Sequence, residues 1–308
     1  MTTSSFANRI RTWTLLAALA GLLVGLGGLL GGTSGMTIAL VIAVLVNGIV
    51  FWKTDTLALK ANGARELRPD ELPRLRAIVG ELARRAGIPA PRLYIVERPE
   101  PNAFATGRDP RHSAVAVTRG ILELMDERQL TGVLAHELSH VKNRDTLVGT
   151  VGATLGGAVS WVAQVAQFQM FFGGQSEGRH PLGAIAAMLL APIAALILQL
   201  AVSRGREYLA DHSGAELTGD PDGLAAALET LDAAGQQRGL LASVRGRRVT
   251  AEPAMNPAFA HLYITNPLRP SDLGGLFSTH PPMAERVARL RAMRTNRLAR
   301  PLDGRPGA

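Results

Sequence analysis

The sequence contains no cysteine, which excludes a disulfide framework and a zinc site built from thiolates. A metal site in this chain must therefore use histidine and carboxylate side chains. Aromatic residues make up only 5% of the chain and form no stacking platform among the basic residues. We therefore expect neither a nucleic-acid partner nor a small-molecule cofactor, and the net charge of +8 is interpreted as the positive flanks of membrane spans.

Charged side chains are also missing from the interval between Arg11 and Lys53. Two apolar runs fill it, Trp13 to Leu30 and Met36 to Trp52, with a glycine-rich link between them. Each run is about long enough to cross a hydrocarbon core of ~30 Å as a helix. The first run could instead be a secretory signal. The second run follows it at once, which favours a retained membrane hairpin that anchors the chain in the lipid bilayer.

Two later runs, Thr146 to Ser176 and Pro181 to Ser203, carry no formal charge either. The first of them contains several glutamines and is the less hydrophobic. A buried helical hairpin in a soluble core is the alternative, but length and hydrophobicity favour spanning helices. The sequence thus predicts about four transmembrane helices.

Basic residues gather at the outer ends of both predicted hairpins, which places these ends and both termini in the cytoplasm. The residues concerned are Arg9, Arg11, Lys53, Lys60, Lys142, Arg144, Arg204 and Arg206. We expect a multi-pass protein of the inner or plasma membrane. Its predicted parts are a hairpin (1–52), a cytoplasmic part (53–145), a second hairpin (146–203) and a second cytoplasmic part (204–308).

The string His136-Glu137-Leu138-Ser139-His140 lies in a stretch that reads as helix, Leu130 to Val141. Histidines four residues apart point the same way on a helix, so both imidazoles can reach one metal ion. Glu137 sits about 100° round the same turn, where it can handle a water without being a ligand. This arrangement predicts zinc-dependent hydrolysis of a peptide bond.

The surroundings of this string favour the metal site over a surface helix with two unrelated histidines. Asp126 can cap the helix, with Gln129 three residues on, as in a capping box. An apolar stripe runs beside the histidines and predicts a buried seam. Its members are Leu130, Val133, Leu134, Leu138 and Val141.

An antiparallel second hairpin would return the chain to the side of the two histidines. Glu207, just after that hairpin, is the best third zinc ligand, and Asp211 one turn on can hold a liganding histidine by a hydrogen bond. Glu207 could instead be an ordinary carboxylate paired with a neighbouring arginine. His212 and His261 are competing ligands by type, whereas His180 would lie across the membrane.

Several further motifs occur in order along the chain: Pro101 to Gly107, Asn143 with Asp145, Arg206 to Asp211, and Ser278 to Pro282. Together with the N-terminal hairpin and the His-Glu-x-x-His helix, they resemble the HtpX-type membrane zinc metalloproteases, relatives of the CAAX prenyl proteases. The resemblance implies His136, His140 and Glu207 as ligands of one Zn²⁺ and Glu137 as the catalytic glutamate. It also implies a cytoplasmic active site and quality control of misfolded or damaged membrane proteins.

The reaction requires a second donor to the oxyanion. His280 is the candidate and Tyr208 a weaker one, although His280 could equally be a turn residue before a C-terminal helix. Two short strands are expected at Arg92 to Val96 and Ser113 to Val117. An edge formed by Pro101 to Thr106 could pair with an unfolded peptide.

Asn102 and Phe104, on that edge, are the candidate substrate-binding residues, although Asn102 could equally be a plain turn residue. The predicted fold is a mainly α membrane protein with a zincin-like α+β protease domain and a small sheet. Two rival functions remain open: a prenyl-peptide protease, and a non-catalytic membrane scaffold with structural zinc. A structural zinc site would not require a carboxylate at the position of Glu137.

Helices are also expected from Asp70 to Arg85, ended by Gly87, and from Asp220-Pro221 through Leu231. A C-terminal helix is expected around Met283 to Met293. The stretch Gly235 to Val249 is rich in glycine and arginine and reads as a mobile loop.

Overall fold

The structure, a computed structural model, describes residues 3–149, 151, 204–244 and 281–298. Its helices are α1 (Thr3–Ala61), α2 (Pro73–Ala86), α3 (Arg119–Leu124), α4 (Glu127–Asn143), α5 (Arg204–Thr218), α6 (Pro221–Val244) and α7 (Met283–Leu298). Its strands are β1 (Arg65–Glu66), β2 (Arg92–Val96), β3 (Ala103–Asp109) and β4 (His112–Thr118).

The four strands form one mixed sheet in the order β1-β2-β4-β3. The β2–β4 pair is parallel and the other two pairs are antiparallel. β3 is therefore an edge strand, with Phe104 opposite Ala116 on β4. The predicted strands β2 and β4 are confirmed, and the predicted edge is present as β3, which begins at Ala103 because Pro101 lies outside the ladder.

α4 lies at the centre of the core. It packs against α2, α5, α6 and the edge strand β3. The predicted apolar stripe of α4 is buried, from Leu130 to Val141. The side chains on the other face of the sheet, away from α4, form a smaller hydrophobic cluster. In it Phe104 and Val96 contact Leu59 near the end of α1. The sheet is thus covered by α4 on one face and by the end of α1 on the other.

Both ends of α4 follow from local sequence. Asp126 accepts a hydrogen bond from the backbone N–H of Gln129 (2.7 Å), and the Gln129 side chain accepts one from the N–H of Asp126 (3.2 Å). This confirms the predicted capping box, which satisfies two N–H groups that a helix start leaves unpaired. At the other end Arg144 adopts a left-handed conformation, φ 61°, and stops the helix.

The structure corrects two predicted helix boundaries. α2 begins at Pro73 and not at Asp70, because proline suits the first turn of a helix and Leu72 before it is left-handed. Gly87 ends α2 as predicted. α6 does not stop at Leu231 but continues to Val244, so the expected loop is helical over its first part. The flanking Ala, Gln and Leu residues are good helix formers and outweigh the cost of Gly235.

The N-terminal helical segment turns back on itself. Gly32 has a φ of +57°. The Asn47 side chain donates a hydrogen bond to the carbonyl of Leu16 (3.0 Å), and the rings of Trp13 and Phe51 stack at 6.0 Å. In a straight helix residues 16 and 47 would be roughly 46 Å apart. α1 therefore consists of two arms that run in opposite directions.

One helical segment of the described chain, Gly32–Lys53, is long and apolar enough to cross a membrane, with 22 residues and a mean hydropathy of 2.2. The third and fourth predicted spans fall outside the described residues, except for residues 146–149 and 151. The expectation of four spans is therefore reduced to one segment in the part of the chain that the structure describes.

Candidate metal centre

His136 and His140 lie on the same face of α4, and α5 brings Glu207 to them. The two Nε2 atoms are 3.2 Å apart, and oxygens of Glu207 lie 3.8 Å from His136 Nε2 and 3.6 Å from His140 Nε2. The two Glu207 distances involve different carboxylate oxygens, Oε2 and Oε1, and all three are close to the roughly 3–4 Å expected between ligand atoms that each lie about 2 Å from one zinc ion. The donor set and its geometry therefore fit a divalent metal ion.

Each histidine presents its other ring nitrogen to a carboxylate. His140 Nδ1 lies 3.1 Å from Asp145 Oδ2 in a hydrogen bond. His136 Nδ1 lies 3.0 Å from Asp211 Oδ1, although this contact is less well aligned. A carboxylate at Nδ1 fixes the tautomer and leaves Nε2 free to bind a metal. Asp211 and Asp145 therefore lie beside the Nδ1 atoms of His136 and His140, respectively.

Asp211 is itself held by a buried arginine from α7. Arg286 has no exposed surface, and its Nε and Nη2 atoms donate to the two carboxylate oxygens at 2.8 and 2.7 Å. Burial opposes the charge on Asp211, but the guanidinium outweighs it and lowers the pKa of this carboxyl to about 2. Asp211 is therefore anionic when it faces His136.

The electrostatics of the site favour a positive charge between the three candidate ligands. Burial disfavours a charged His140, yet the carboxylates of Asp145, Glu207 and Glu137 together raise its pKa to about 9. A group of carboxylates that draws a proton onto a buried imidazole also attracts a metal cation to the same place.

Glu137 is buried beside the ligand cluster. The backbone N–H of Ala105 on β3 donates a hydrogen bond to its Oε2 at 2.9 Å. Burial raises the pKa of Glu137 above its ordinary value, against the pull of His136 and His140. A carboxylate with a raised pKa, fixed by a backbone donor, is suited to accept a proton and release it again.

Close backbone packing sets the position of α5. A Cβ atom at Gly214 would lie 2.9 Å from the backbone nitrogen of His136. On another side of α4, a Cβ atom at Gly132 would lie 2.8 Å from the Cα of Leu224 on α6. α4 is thus in backbone contact with two helices, and the contact with α5 holds the helix that carries Glu207 close to the histidines.

The other sequence candidates are placed as follows. Asn102 is buried, and its backbone pairs with Thr118. Phe104 is buried in the small cluster on the other face of the sheet, so its side chain does not face the ligands. The Tyr208 ring lies under the Arg289 guanidinium, 3.8 Å away.

Of the competing histidines, His212 is described by the structure and does not join the cluster. His212 is exposed and faces Glu216 at 3.6 Å. His180, His261 and His280 lie outside the described residues. The role expected for His280 therefore stays a prediction.

Sequence reasoning missed two residues of this site, Asp145 as the partner of His140 and Arg286 as the partner of Asp211. Asp145 carried a usable signal, because it follows His140 by only five residues and lies just beyond the end of α4. Arg286 carried none, since it lies 75 positions from Asp211 and only the packing of α7 brings it there.

Comparisons with known proteins identify a family and several relatives. Peptidase family M48 matches residues 69–294. The chain is 46% identical to the Protease HtpX homolog of Desulforapulum autotrophicum over 289 residues, which covers 92% of this chain and 89% of that protein. It is also 46% identical to Protease HtpX of Legionella pneumophila, covering 93% and 99%. Among solved structures, S. mikatae Ste24p matches with a TM-score of 0.46 and 19% identity, covering 94% of this chain and 67% of that one.

Proposed function

Because this chain belongs to peptidase family M48 and is a membrane metalloprotease, we propose that it is a zinc-dependent endopeptidase. Its substrates would be misfolded or damaged membrane proteins, cleaved at the cytoplasmic face. The convergence of His136, His140 and Glu207, whose ligand atoms all lie within 4.8 Å of one another, carries this proposal.

The donor set supports zinc as the metal. Two imidazole nitrogens and one carboxylate oxygen are the ligands of a common type of catalytic zinc site, which keeps a further position open. A structural zinc site is closed by four protein ligands. When bound, zinc would polarise the scissile carbonyl and make a water molecule more acidic.

Glu137 is the proposed general base. In this role its carboxylate takes a proton from the attacking water and then delivers it to the leaving amine. The Ala105 N–H donor fixes one of its oxygens and leaves the other for the water. Glu137 is not among the three clustered ligand groups, which supports a catalytic role over a ligand role. His280 is proposed to donate to the oxyanion, and Tyr208 is the weaker candidate.

Substrate binding is proposed at the outer edge of β3. Alternate residues of an edge strand direct their backbone groups away from the sheet. Ala105 is such a residue, since its N–H meets Glu137 and not β4. A peptide added beside Ala103 and Ala105 would lie next to the catalytic carboxylate. Asn102 and Phe104 have buried side chains, so they would support this edge through their backbones.

The membrane setting supports membrane proteins as substrates. The apolar segment Gly32–Lys53 is continuous with the rest of α1, and the last turns of α1 pack on the sheet that ends in β3. The proposed cleavage site is thus attached to a membrane anchor through a short, packed connection. The cytoplasmic orientation rests on the basic residues that flank the predicted hairpins.

The decisive experiment replaces Glu137 by glutamine. The variant is expected to keep stoichiometric zinc and to lose cleavage of a model membrane substrate by about 10²- to 10⁴-fold, because glutamine cannot accept the proton. Protein purified in detergent with chelator and then reloaded with zinc serves for both measurements.

The matched control is Glu127→Gln, the same substitution at an exposed position on the first turn of α4. It is expected to cleave at the normal rate. Cleavage by Glu137→Gln at the rate of this control would remove Glu137 from the mechanism. Full zinc retention by Glu207→Ala would in turn transfer the third-ligand role to another residue.

A further inference from the structure

A cavity of about 240 Å³ opens at the base of the N-terminal hairpin. Its walls include the aromatic rings of Trp13 and Phe51 from the two arms of α1. The charged side chains of Arg108 and Asp109, at the end of β3, and of Arg144, after α4, also line it, together with Thr12 and Leu147. The cavity therefore combines an apolar, aromatic side with a cationic side.

The position of the cavity matches the level of lipid headgroups. The apolar segment Gly32–Lys53 ends beside it. The neighbouring Trp52 is 60% exposed, as is Trp13 at 62%. Exposed tryptophans at the end of a spanning helix are typical of the boundary between hydrocarbon and water. The cavity thus faces the layer in which phospholipid phosphates lie.

The two arginines are well placed to bind an anion there. Arg144 makes no ion pair within the part of the chain that the structure describes. The Arg108 guanidinium lies 4.7 Å from the centre of the Trp52 ring and only loosely contacts Asp109, at 3.7 Å. Arginine presents several N–H donors in a planar fork that matches phosphate oxygens.

Asp109 does little to oppose an anion, because its carboxylate is engaged within its own turn. Oδ1 accepts hydrogen bonds from the backbone N–H groups of Arg111 (2.8 Å) and His112 (3.0 Å). The His112 ring lies 3.0 Å from both of its oxygens. The charge that remains in the cavity is therefore positive.

We propose that this cavity binds the headgroup phosphate of an anionic membrane phospholipid. The phosphodiester would lie between Arg108 and Arg144, with the glycerol and the start of the acyl chains against Trp13 and Phe51. The aromatic walls and the exposed apolar arms beside them favour a lipid over a soluble anion. The proposal depends on the membrane association of the family and not on the peptidase chemistry.

The test measures lipid adducts on the full-length, detergent-purified chain by native mass spectrometry. Chelator is kept present so that no proteolysis occurs. Phosphatidylglycerol is expected to bind in preference to phosphatidylcholine. Arg108→Gln and Arg144→Gln should each weaken phosphatidylglycerol binding by roughly tenfold, the size expected for a lost hydrogen bond to a charged group, and the double variant should lose the preference.

Two further variants separate a site from general charge and from misfolding. Arg74→Gln removes the same charge from an exposed position on α2 and should bind lipid as the unmodified chain does. Asp109→Asn keeps an oxygen for the turn but removes the negative charge, and should tighten binding. A gain of affinity cannot result from misfolding.

The proposal is overturned by any of three results. The double arginine variant could bind phosphatidylglycerol as tightly as the unmodified chain. Arg74→Gln could weaken binding as much as Arg144→Gln does. Inorganic phosphate at millimolar concentration could displace the lipid, which would assign the cavity to a soluble anion.

Discussion

The N-terminal hairpin and the protease core use apolar side chains in opposite ways. In the hairpin they face outward, with Val44 63% and Ile38 61% exposed, while the Asn47 side chain joins the two arms. In the core they face inward, with Leu134 and Leu138 fully buried. The same residue types are thus arranged for two different solvents, lipid outside the hairpin and water outside the protease part.

Buried polar groups also differ between the two regions. In the hairpin they are uncharged, and Asn47 holds one arm to the other. In the protease part they include ionic groups that converge on the candidate metal centre, as Arg286 and Asp211 do. If this comparison is correct, polar changes in the core should affect the metal, and polar changes in the hairpin should affect the membrane anchor.

The largest effect is expected from Arg286→Met. Without the guanidinium, Asp211 would be a buried charge with no opposite charge beside it, which costs about 3–5 kcal/mol of stability. Metal affinity should fall about 10- to 100-fold, because Asp211 would no longer hold His136. Zinc titration and thermal unfolding measure the two effects. The control is Arg291→Met. Arg291 lies on α7, as Arg286 does, but it is exposed and pairs with Glu229 of α6.

Lysine at position 44 tests the outward face of the hairpin. Val44→Lys should disfavour membrane insertion by about 2.5–3.5 kcal/mol if this side chain faces the bilayer centre. Carbonate extraction of membranes would then release more of the variant, while zinc content stays unchanged. Leu124→Lys is the matched control, since Leu124 is 38% exposed but lies in the protease part. Equal behaviour of the two variants would contradict the comparison.

A smaller effect is expected from Gly214→Val. Its side chain would be forced against the backbone of His136 and would push α5 away, at a cost of about 1–3 kcal/mol. Zinc binding should weaken although no ligand is changed. Gly235→Val, on α6 with open space around it, provides the comparison. Unchanged zinc affinity in Gly214→Val would show that α5 is not positioned by this contact.

The smallest effect on stability is expected from Asn47→Leu. Loss of the hydrogen bond to Leu16 should cost about 0.6 kcal/mol, the average for such bonds between membrane helices. Unfolding in mixed micelles measures it. Thr37→Val removes a bond to Thr33 within one arm and should leave the association of the arms unchanged. A larger loss in Thr37→Val than in Asn47→Leu would argue against Asn47 as the link.

The parts of the fold that local chemistry determines were predictable from the sequence. The capping box at Asp126 and the stripe from Leu130 to Val141 defined α4, and with it the directions of both histidines. Glu207 could be proposed from the sequence because a catalytic zinc site needs a third protein ligand. The hairpin pattern limits where along the chain that ligand can lie. These inferences needed only spacing along one helix or a count of ligands.

Features that depend on distant packing were not predictable. Arg286 reaches Asp211 only through the docking of α7, and β1 consists of two residues, Arg65 and Glu66, that pair with β2 without any strand pattern. The extension of α6 to Val244 was missed because its glycines suggested a loop. In each case the deciding contact lies far along the chain or is made by residues of neutral propensity.

The glycines at 132 and 214 have a consequence for access to the site. α4 touches the backbone of α6 on one side and of α5 on another, so it has no room to slide or rotate. We therefore expect His136 and His140 to keep their positions relative to α5 and α6 while a peptide enters and its fragments leave. If the active site opens to admit the peptide, the movement must therefore come from elements other than α4, which stays in place.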